Sequence, residues 1–181
     1  MEFDHVIQNR RSIRKFQPKK VEQSKINQLL EAARLCQSAK NRQPWQFKVL
    51  TGAGKDEIAD IMLSLFEQND FELPGYVNSS KYSAQIIKNA DVLFLVFREK
   101  DDDWNIGDLL SIGAAIEHVC LEAVNLDLGA LWIRDTAYTE NEICNHTGYG
   151  ELQLVSAIAV GYPAESPQPR PRRTLDEIVL K

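Results

Sequence analysis

The chain has 181 residues, enough for one domain that buries roughly two thirds of its unfolded surface, and we expect residues 1–181 to form a single domain. Its hydrophobic fraction of 44% and charged fraction of 26% are ordinary for a globular protein, and no stretch approaches the roughly 20 apolar residues of a membrane span. The net charge of -5 argues against broad binding to nucleic acid, which requires a basic surface.

The first residues lack the basic flank and the apolar run of a signal peptide, which favours a cytoplasmic location. Cys36, Cys120 and Cys144 are too widely spaced for a Cys-x-x-Cys motif, and their odd number does not indicate a disulfide framework. Any electron transfer would therefore need another carrier. Three consecutive aspartates at 101–103 predict a solvated turn and no metal site, because three adjacent side chains cannot all point at one ion.

Apolar spacing in the first half of the chain predicts four helices and one strand. The helices are expected over 3–10, 26–36, 58–66 and 82–89, and the strand, with one buried face, over 45–49. Gly52 and Gly54 are expected to end that strand. Residues 15–20 are predicted to form a loop. Residues 67–80 show no periodic spacing of apolar residues and are predicted to form a loop or a lid.

The second half contains the longest predicted helix, over residues 105–125. Its apolar residues cover most of the circumference, which predicts a helix that is buried nearly all round. A partner subunit is the simplest cover for such a helix in so small a protein, so we predict dimerisation through it; a central helix of a monomer is the alternative.

The remaining segments complete a mixed α and β pattern. Residues 92–97 are apolar throughout, as expected of a central strand covered on both faces. Gly129 is expected to cap the long helix in a left-handed conformation. Two further strands are expected over 130–133 and 152–160, and a short helix over 139–145. Prolines make 163–171 an extended arm, and the apolar tail at Leu175, Ile178 and Val179 is expected to dock on a partner.

The chemistry of the sequence is concentrated in an arginine cluster, in which Arg10, Arg11 and Arg14 fall within five residues. The planar donor fork of arginine suits phosphate, and clustered like charges repel unless a counter-charge or solvent screens them. A solvated helix end would show the same charge run. Two further stretches, at 38–45 and 170–173, favour one anion-binding site built from all three segments.

In order and spacing, these stretches resemble the FMN-dependent nitroreductase family. The first matches its Arg-x-Ser-x-Arg/Lys-x-Phe pattern with Arg10, Ser12, Arg14 and Phe16. The second matches Ser-x-x-Asn-x-Gln-Pro-Trp with Ser38, Asn41, Gln43, Pro44 and Trp45. The third stretch, residues 170–173, matches the basic residue pair that the family carries just before a C-terminal apolar tail. The resemblance runs from about residue 3 to residue 179.

The resemblance implies an α+β fold, with a mainly antiparallel central sheet wrapped by helices. It also implies an intertwined homodimer, in which the C-terminal arm crosses to the other subunit and the FMN sites lie at the interface. The segment at 38–41 would then reach the flavin of the opposite subunit. Trp132 and Arg134 are bulkier than the residues common at their positions in relatives, so we expect a substrate pocket of different size.

Residue roles follow from the resemblance and from the chemistry of FMN. The phosphate suits Arg10, Arg170 and Arg172, and Arg14 would stabilise the reduced flavin beside its pyrimidine edge. Short polar residues suit the ribityl hydroxyls or the ring edges, namely Ser12, Ser38, Asn41 and Gln43. Backbone N–H groups at Leu131, Trp132 and Ile133 match the strand end that faces flavin N5. Arg11 completes the expected cofactor-binding set.

The implied activity is an FMN-dependent NAD(P)H oxidoreductase with no obligatory side-chain acid or base. Hydride would pass in a ping-pong scheme from NADPH or NADH to the flavin, and then to a small planar electron-poor acceptor such as a nitroaromatic or a quinone. One alternative is a flavin-binding protein for storage, sensing or specialised flavin chemistry without general turnover. The other alternative is an arginine-rich module that binds nucleic acid, and the net negative charge of the chain disfavours it.

Overall fold

The computed structural model describes residues 2–66 and 78–180, in which a four-stranded antiparallel sheet lies between two layers of helices. The strands are β1 (Gln46–Thr51), β2 (Val92–Arg98), β3 (Gly129–Ile133) and β4 (Gln153–Gly161), in the spatial order β1-β2-β4-β3. The helices are α1 (Phe3–Asn9), α2 (Gln23–Arg34), α3 (Ala53–Ser64), α4 (Ser79–Asn89), α5 (Asn105–Asn125), α6 (Glu140–Thr147) and α7 (Leu175–Ile178). The predicted α+β class with an antiparallel sheet is confirmed.

Alternating side chains of the central strand β2 enter two separate cores. Phe94 and Val96 pack with α2 and α5 on one face, whereas Leu95 and Phe97 pack with α3, α4 and α6 on the other. Every residue of β2 is buried, as the continuous apolar run predicted. The edge strand β1 is different: Phe47 and Val49 share one face and pack against the core formed with α2 and α5, as predicted, but Lys48 and Leu50 on the other face are also half-buried.

Three local predictions in the first half of the chain need correction. Gly52 does end β1, with a φ of 53°, but Gly54 lies inside α3 rather than in the turn. The helix predicted to start at residue 82 starts at Ser79, so the last two residues of the predicted loop belong to α4. Asn78 of that loop is the N-cap of α4, and residues 67–77 lie outside the described residues.

The long helix α5 has the predicted bounds but a different environment. Its C-terminal half is buried between α2 and the sheet, whereas Ile106 is 75% and Leu110 is 70% exposed in the single chain. Leu109 is also exposed. A single chain therefore does not bury this helix all round, which goes against the alternative of a central helix in a monomer, and the predicted cover by a partner subunit stays a prediction. An apolar face at the N-terminal half of α5 is open to solvent.

Gly129 was expected to cap α5, but Asp127 takes the left-handed conformation, with a φ of 59°. Gly129 is the first residue of β3 and pairs with Gly161 of β4. A Cβ at Gly129 would lie 2.7 Å from Cγ1 of Ile13, and one at Gly161 would lie 2.9 Å from Cδ1 of Phe16. The two glycines therefore make room for one side chain within the arginine cluster and one just after it.

The acidic turn and the C-terminal arm follow the sequence prediction. Asp101 accepts hydrogen bonds from the backbone N–H groups of Asp103 and Trp104, which ends the turn at the start of α5. The arm has no helix or strand before α7, and Leu175, Ile178 and Val179 are exposed. Among the residues described, no helix has the length and apolar character needed to cross a membrane.

Candidate functional site

The arginine cluster is placed by a backbone crossing at the end of the sheet. Ser12 forms a parallel bridge with Ala130, and the N–H of Ile13 donates to the carbonyl of Ala130 at 3.0 Å. Further along, Phe16 forms an antiparallel bridge with Pro163. The segment thus runs beside β3 and β4, where Gly129 and Gly161 accommodate its side chains, and its arginines are held near the first residues of β3.

One carboxylate joins this segment to the C-terminal arm. Oε1 of Glu165 accepts the backbone N–H of Arg14 at 2.6 Å and that of Lys15 at 3.1 Å. The N–H of Ala164 donates to the carbonyl of Lys15 at 2.9 Å. These bonds fix the direction in which the arm leaves the sheet, so that its later residues return to the arginine cluster.

The two segments enclose a basic cavity of about 330 Å³. The predicted cofactor-binding residues that line it are Arg10, Arg11, Ser12, Arg14, Arg170 and Arg172. Thus the first and third predicted stretches come together in a single chain. The cavity is open at one side to solvent and is bounded by the prolines of the arm at 167 and 169.

The charges of this basic cavity are mostly uncompensated by the described residues. Arg10 forms an ion pair with Glu117 of α5, with 3.3 Å between Nε and Oε1. Nη1 of Arg11 donates to backbone carbonyls, and its Nε is buried without a hydrogen-bond partner. A buried N–H without an acceptor is costly, and an anion in the cavity would reduce both that cost and the mutual repulsion of the arginines. The residues therefore fit a phosphate group.

A second cavity, of about 580 Å³, adjoins the basic cavity through Arg14. Its walls are residues 131–135, which comprise the last residues of β3 and the two that follow it, and one face of α4, including Tyr82 and Ser83. Oγ of Ser83 donates to Asp135 at 2.6 Å, which ties α4 to the end of β3. Leu131, Trp132 and Ile133 thus line the same cavity as Arg14, and we call this space the β3-end cavity.

Trp132 separates the β3-end cavity from a third space. Its indole N–H donates to Oγ of Ser156 at 2.7 Å, and that hydroxyl donates to the carbonyl of Ile133 at 2.8 Å. The ring lies close to Gly113 of α5 and remains 44% exposed. On its other side is an apolar cavity of about 480 Å³ between α5 and β4, which we call the α5 cavity.

The segment at 38–43 lies apart from the basic cavity of its own chain. Oγ of Ser38 accepts the N–H of Gln43 at 2.9 Å, and Gln43 lines a separate cavity beside Asp108. Lys40, Asn41 and Gln43 all have positive φ values. The prediction that all three stretches form one site is therefore not met within a single chain, and these residues could reach such a cavity only in a partner subunit.

The N-terminal end of α5 holds this segment in place. Nε of Arg42 donates to buried Asp108 at 3.0 Å, its Nη2 donates to Asp101 at 2.8 Å, and the guanidinium stacks over Trp104. The bond to Asp108, with that to Asp101, raises the pKa of Arg42. Oγ of Ser111 accepts the N–H of Ala39 at 3.1 Å. The unusual backbone is thus anchored at both ends.

Several residues that build the site were missed from the sequence. Glu165 carries no motif and lies 151 positions from Arg14, so only the folded chain reveals the contact. Ile13 and Gly129 could have been noticed as a bulky and a small residue that pack together, but nothing in the sequence pairs them. Burial raises the pKa of all three cysteine thiols, to about 12 for Cys120, so none is suited to act as a nucleophile.

Comparison with known proteins identifies relatives of the whole chain. The Nitroreductase family profile matches residues 7–162. A Methanothermobacter thermautotrophicus protein provisionally named NADH dehydrogenase/NAD(P)H nitroreductase is 27% identical over 100% of this chain and 87% of its own length. The 4-nitrobenzoate reductase of Pseudomonas putida is 27% identical, but the match spans 57% of this chain and only 40% of that protein.

Among solved structures, a Desulfovibrio desulfuricans protein in complex with FMN has a TM-score of 0.81. It is 26% identical, and the match covers 100% of this chain and 96% of that one. The similarity therefore extends over the sheet, both helical layers and the arm. Since the family profile covers most of the chain and the fold agrees along its entire length, the chain belongs to the nitroreductase family.

Proposed function

We propose that the protein is an FMN-dependent NAD(P)H oxidoreductase that reduces a small planar electron-poor acceptor. The observation that carries the proposal is the junction of two cavities at Arg14: a cluster of arginines on one side and the end of β3, with the exposed ring of Trp132, on the other. A molecule with a dianionic phosphate at one end and a planar ring at the other matches that arrangement.

Each group of residues then has a definite task. Arg10, Arg170 and Arg172 bind the phosphate, and the buried Nε of Arg11 gains an acceptor. Ser12 offers a hydroxyl to the ribityl chain, and Arg14 places positive charge beside the pyrimidine edge. When bound, FMN supplies the two-electron chemistry that no side chain of this protein offers. The backbone N–H groups at 131–133 donate hydrogen bonds to the edge of the flavin ring. No residue is assigned as a catalytic acid or base.

The proposed site needs a second copy of the chain. Ser38, Asn41 and Gln43 would contact the ribityl chain and the ring of the partner subunit's flavin, because they lie away from the basic cavity of their own chain. The exposed apolar face of α5, with Ile106, Leu109 and Leu110, supports a homodimer contact. The arm up to Arg172 lines the basic cavity of its own chain, so only the apolar tail beyond it, with Leu175, Ile178 and Val179, would reach the partner and be covered there. A dimer therefore both buries the helix and completes the site.

The similar proteins agree with this assignment. The D. desulfuricans structure contains FMN, and the M. thermautotrophicus relative is named for NAD(P)H-dependent reduction. The P. putida relative is named for a nitroaromatic acceptor. We propose either NADPH or NADH as the donor and a nitroaromatic or a quinone as the acceptor. A reductase that uses these donors needs the cytoplasmic nucleotide pool, so the cytoplasm is its proposed location.

The test is the absorbance spectrum of the purified protein before and after each nicotinamide is added without oxygen. We expect a yellow preparation, with about one FMN per chain after reconstitution, and bleaching by NADPH or NADH. Re-addition of a nitroaromatic or a quinone should restore the oxidised spectrum. A protein that binds FMN but is bleached by neither donor would contradict the reductase assignment and favour the alternative, a flavin-binding protein for storage, sensing or specialised chemistry.

A further inference from the structure

We propose that Arg42 and Asp108 are positioning residues, whose ion pair holds the segment at 38–43 in the conformation that reaches the partner subunit's flavin. The proposal rests on the proposed function, because the contact between this segment and the flavin is part of it. Neither side chain lines the basic cavity or the β3-end cavity of its own chain, so the pair acts through the backbone of the segment that it holds.

The backbone of this segment is strained. Lys40, Asn41 and Gln43 have φ values of 53°, 56° and 48°, in the left-handed region that residues with a side chain seldom adopt. Asparagine tolerates this region better than lysine or glutamine does. Such residues keep this conformation only where the surrounding structure determines it. The segment therefore needs contacts outside itself to hold its shape.

Arg42 lies among these three residues, and its side chain reaches a buried carboxylate. Nε and Nη2 of the guanidinium donate to the two oxygens of Asp108 at 3.0 and 3.3 Å, and Nη2 also donates to Asp101 at 2.8 Å. The guanidinium carbon lies 4.6 Å from the centre of the Trp104 ring. Two bonds to one carboxylate fix the orientation of the guanidinium as well as its position, which the ammonium of a lysine could not do.

The burial of Asp108 makes this pair difficult to break. Its side chain is 3% exposed, and among the ion pairs of the described residues it takes part only in the one with Arg42. A buried carboxylate that lost its cation would carry a large desolvation cost. Salt also screens a partly buried pair much less than an exposed one. The pair can therefore offset the backbone strain of the segment.

The beginning of the segment is attached to the same helix. Oγ of Ser111 accepts the N–H of Ala39 at 3.1 Å and donates to the carbonyl of Gly107 at 2.7 Å. Asp108 and Ser111 lie on the first two turns of α5, beside the exposed apolar residues that are assigned to the dimer contact. The segment and the dimer contact are therefore joined to one rigid element, so that pairing of the two subunits also sets where the segment lies.

The test places two substitutions in opposite subunits of one dimer. Arg10→Ala damages the basic cavity of its own chain, and Arg42→Met damages the segment that its chain presents to the partner. Either variant homodimer should bind FMN about tenfold more weakly than the wild type, or weaker still, by equilibrium dialysis. A mixed dimer, co-expressed with two different affinity tags and purified through both, should contain one doubly damaged site and one intact site. We therefore expect it to bind one FMN with the wild-type affinity.

Further variants separate positioning from a loss of stability. Arg42→Met combined with Asp108→Leu leaves no buried charge unpaired, so it should unfold at a higher temperature than Arg42→Met alone while FMN binding stays weak. Arg42→Lys keeps the charge without the fork and should retain part of the FMN affinity. Arg34→Met is the matched control, because it removes an exposed arginine of α2 that pairs with Glu31, and it should leave FMN binding unchanged.

Three results would overturn the proposal. The first is FMN binding that Arg42→Met leaves unchanged. The second is a mixed dimer without a site of wild-type affinity, because Arg42 would then act on the flavin site of its own chain. The third is a double variant that recovers FMN affinity together with stability, as expected of a pair that only stabilises the fold. If Arg42→Met does not fold, the double variant replaces it in the mixed dimer.

The proposed function fails in a different way. A wild-type protein that binds FMN but is bleached by neither nicotinamide would contradict the reductase assignment and not the role of Arg42, because the mixed dimer is judged by binding and not by turnover. A wild-type protein that binds no FMN would contradict both.

Discussion

Replacement of Gly129 by alanine tests whether the close packing at the sheet end positions the arginine cluster. The new Cβ would lie 2.7 Å from Cγ1 of Ile13 and 2.8 Å from its Cβ and Cγ2. Ordinary carbon contacts are at roughly 3.5–4.0 Å, so the backbone of residues 10–14 or the start of β3 must move. Overpacking of this kind costs about 1–3 kcal/mol of the free energy of unfolding. For a chain of this size, the midpoint of thermal unfolding should fall by roughly 2–12 °C.

Thermal unfolding at one fixed protein concentration, together with a fluorescence titration of FMN, measures both consequences. We expect weaker FMN binding as well as the lower midpoint, because Ile13 bonds to Ala130 and lies between the arginines. Gly54→Ala is the matched control: its Cβ would lie 3.5 Å from Leu50 in an ordinary contact, within α3, so stability should change by less than about 1 kcal/mol.

A second substitution shows whether the clash itself is responsible. Ile13→Ala removes two of the three closest atoms, so it should recover part of the stability and the FMN affinity when it is combined with Gly129→Ala. The reasoning is refuted if Gly129→Ala melts like the wild type and retains its flavin. It is also refuted if the two substitutions are simply additive.

Three further predictions concern charge, assembly and pH. Arg10→Ala should weaken FMN binding by about 1.5–3 kcal/mol, the value of a charge-assisted hydrogen bond, as measured by equilibrium dialysis; unchanged retention would contradict the phosphate assignment. Leu110→Asp should convert a dimer into a chain of 20.6 kDa by light scattering, whereas Leu35→Asp, on an exposed leucine after α2, should not. Burial raises the pKa of Cys120 from 9.0 to about 12, so its contribution to stability is complete below pH 9 and is lost as the pH rises towards 12. Urea unfolding across that range should show a smaller loss in Cys120→Ala than in the wild type.

The strong periodic patterns were sufficient to predict the main elements. The bounds of α5 agree with the prediction, and the apolar run at 92–97 corresponds to β2 because a strand covered on both faces has no polar side. The edge strand β1 was harder to interpret, since its side chains are half-buried on both faces. Gly129 was misread because a glycine after a helix suggests a cap, whereas its actual role depends on Ile13, more than a hundred residues earlier.

The candidate site was predictable in its chemistry but not in its connections. Clustered arginines identified the basic cavity, because their mutual repulsion requires a counter-charge. The sequence could not indicate that Glu165 holds the backbone of Arg14, since a single glutamate has no local pattern. Residue spacing alone could not separate the segment at 38–43 from the other two stretches; only the family resemblance assigned it to the flavin of the opposite subunit.

Glu165 has a consequence for how the protein can be shortened or fused. Its carboxylate belongs to the arm, yet it holds two amide groups at the other end of the chain. A truncated chain that stopped before residue 165 would lose Arg170 and Arg172 and would also loosen the backbone that presents Arg14. A C-terminal boundary chosen from the last strand alone would therefore damage the basic cavity from both ends of the polypeptide at once.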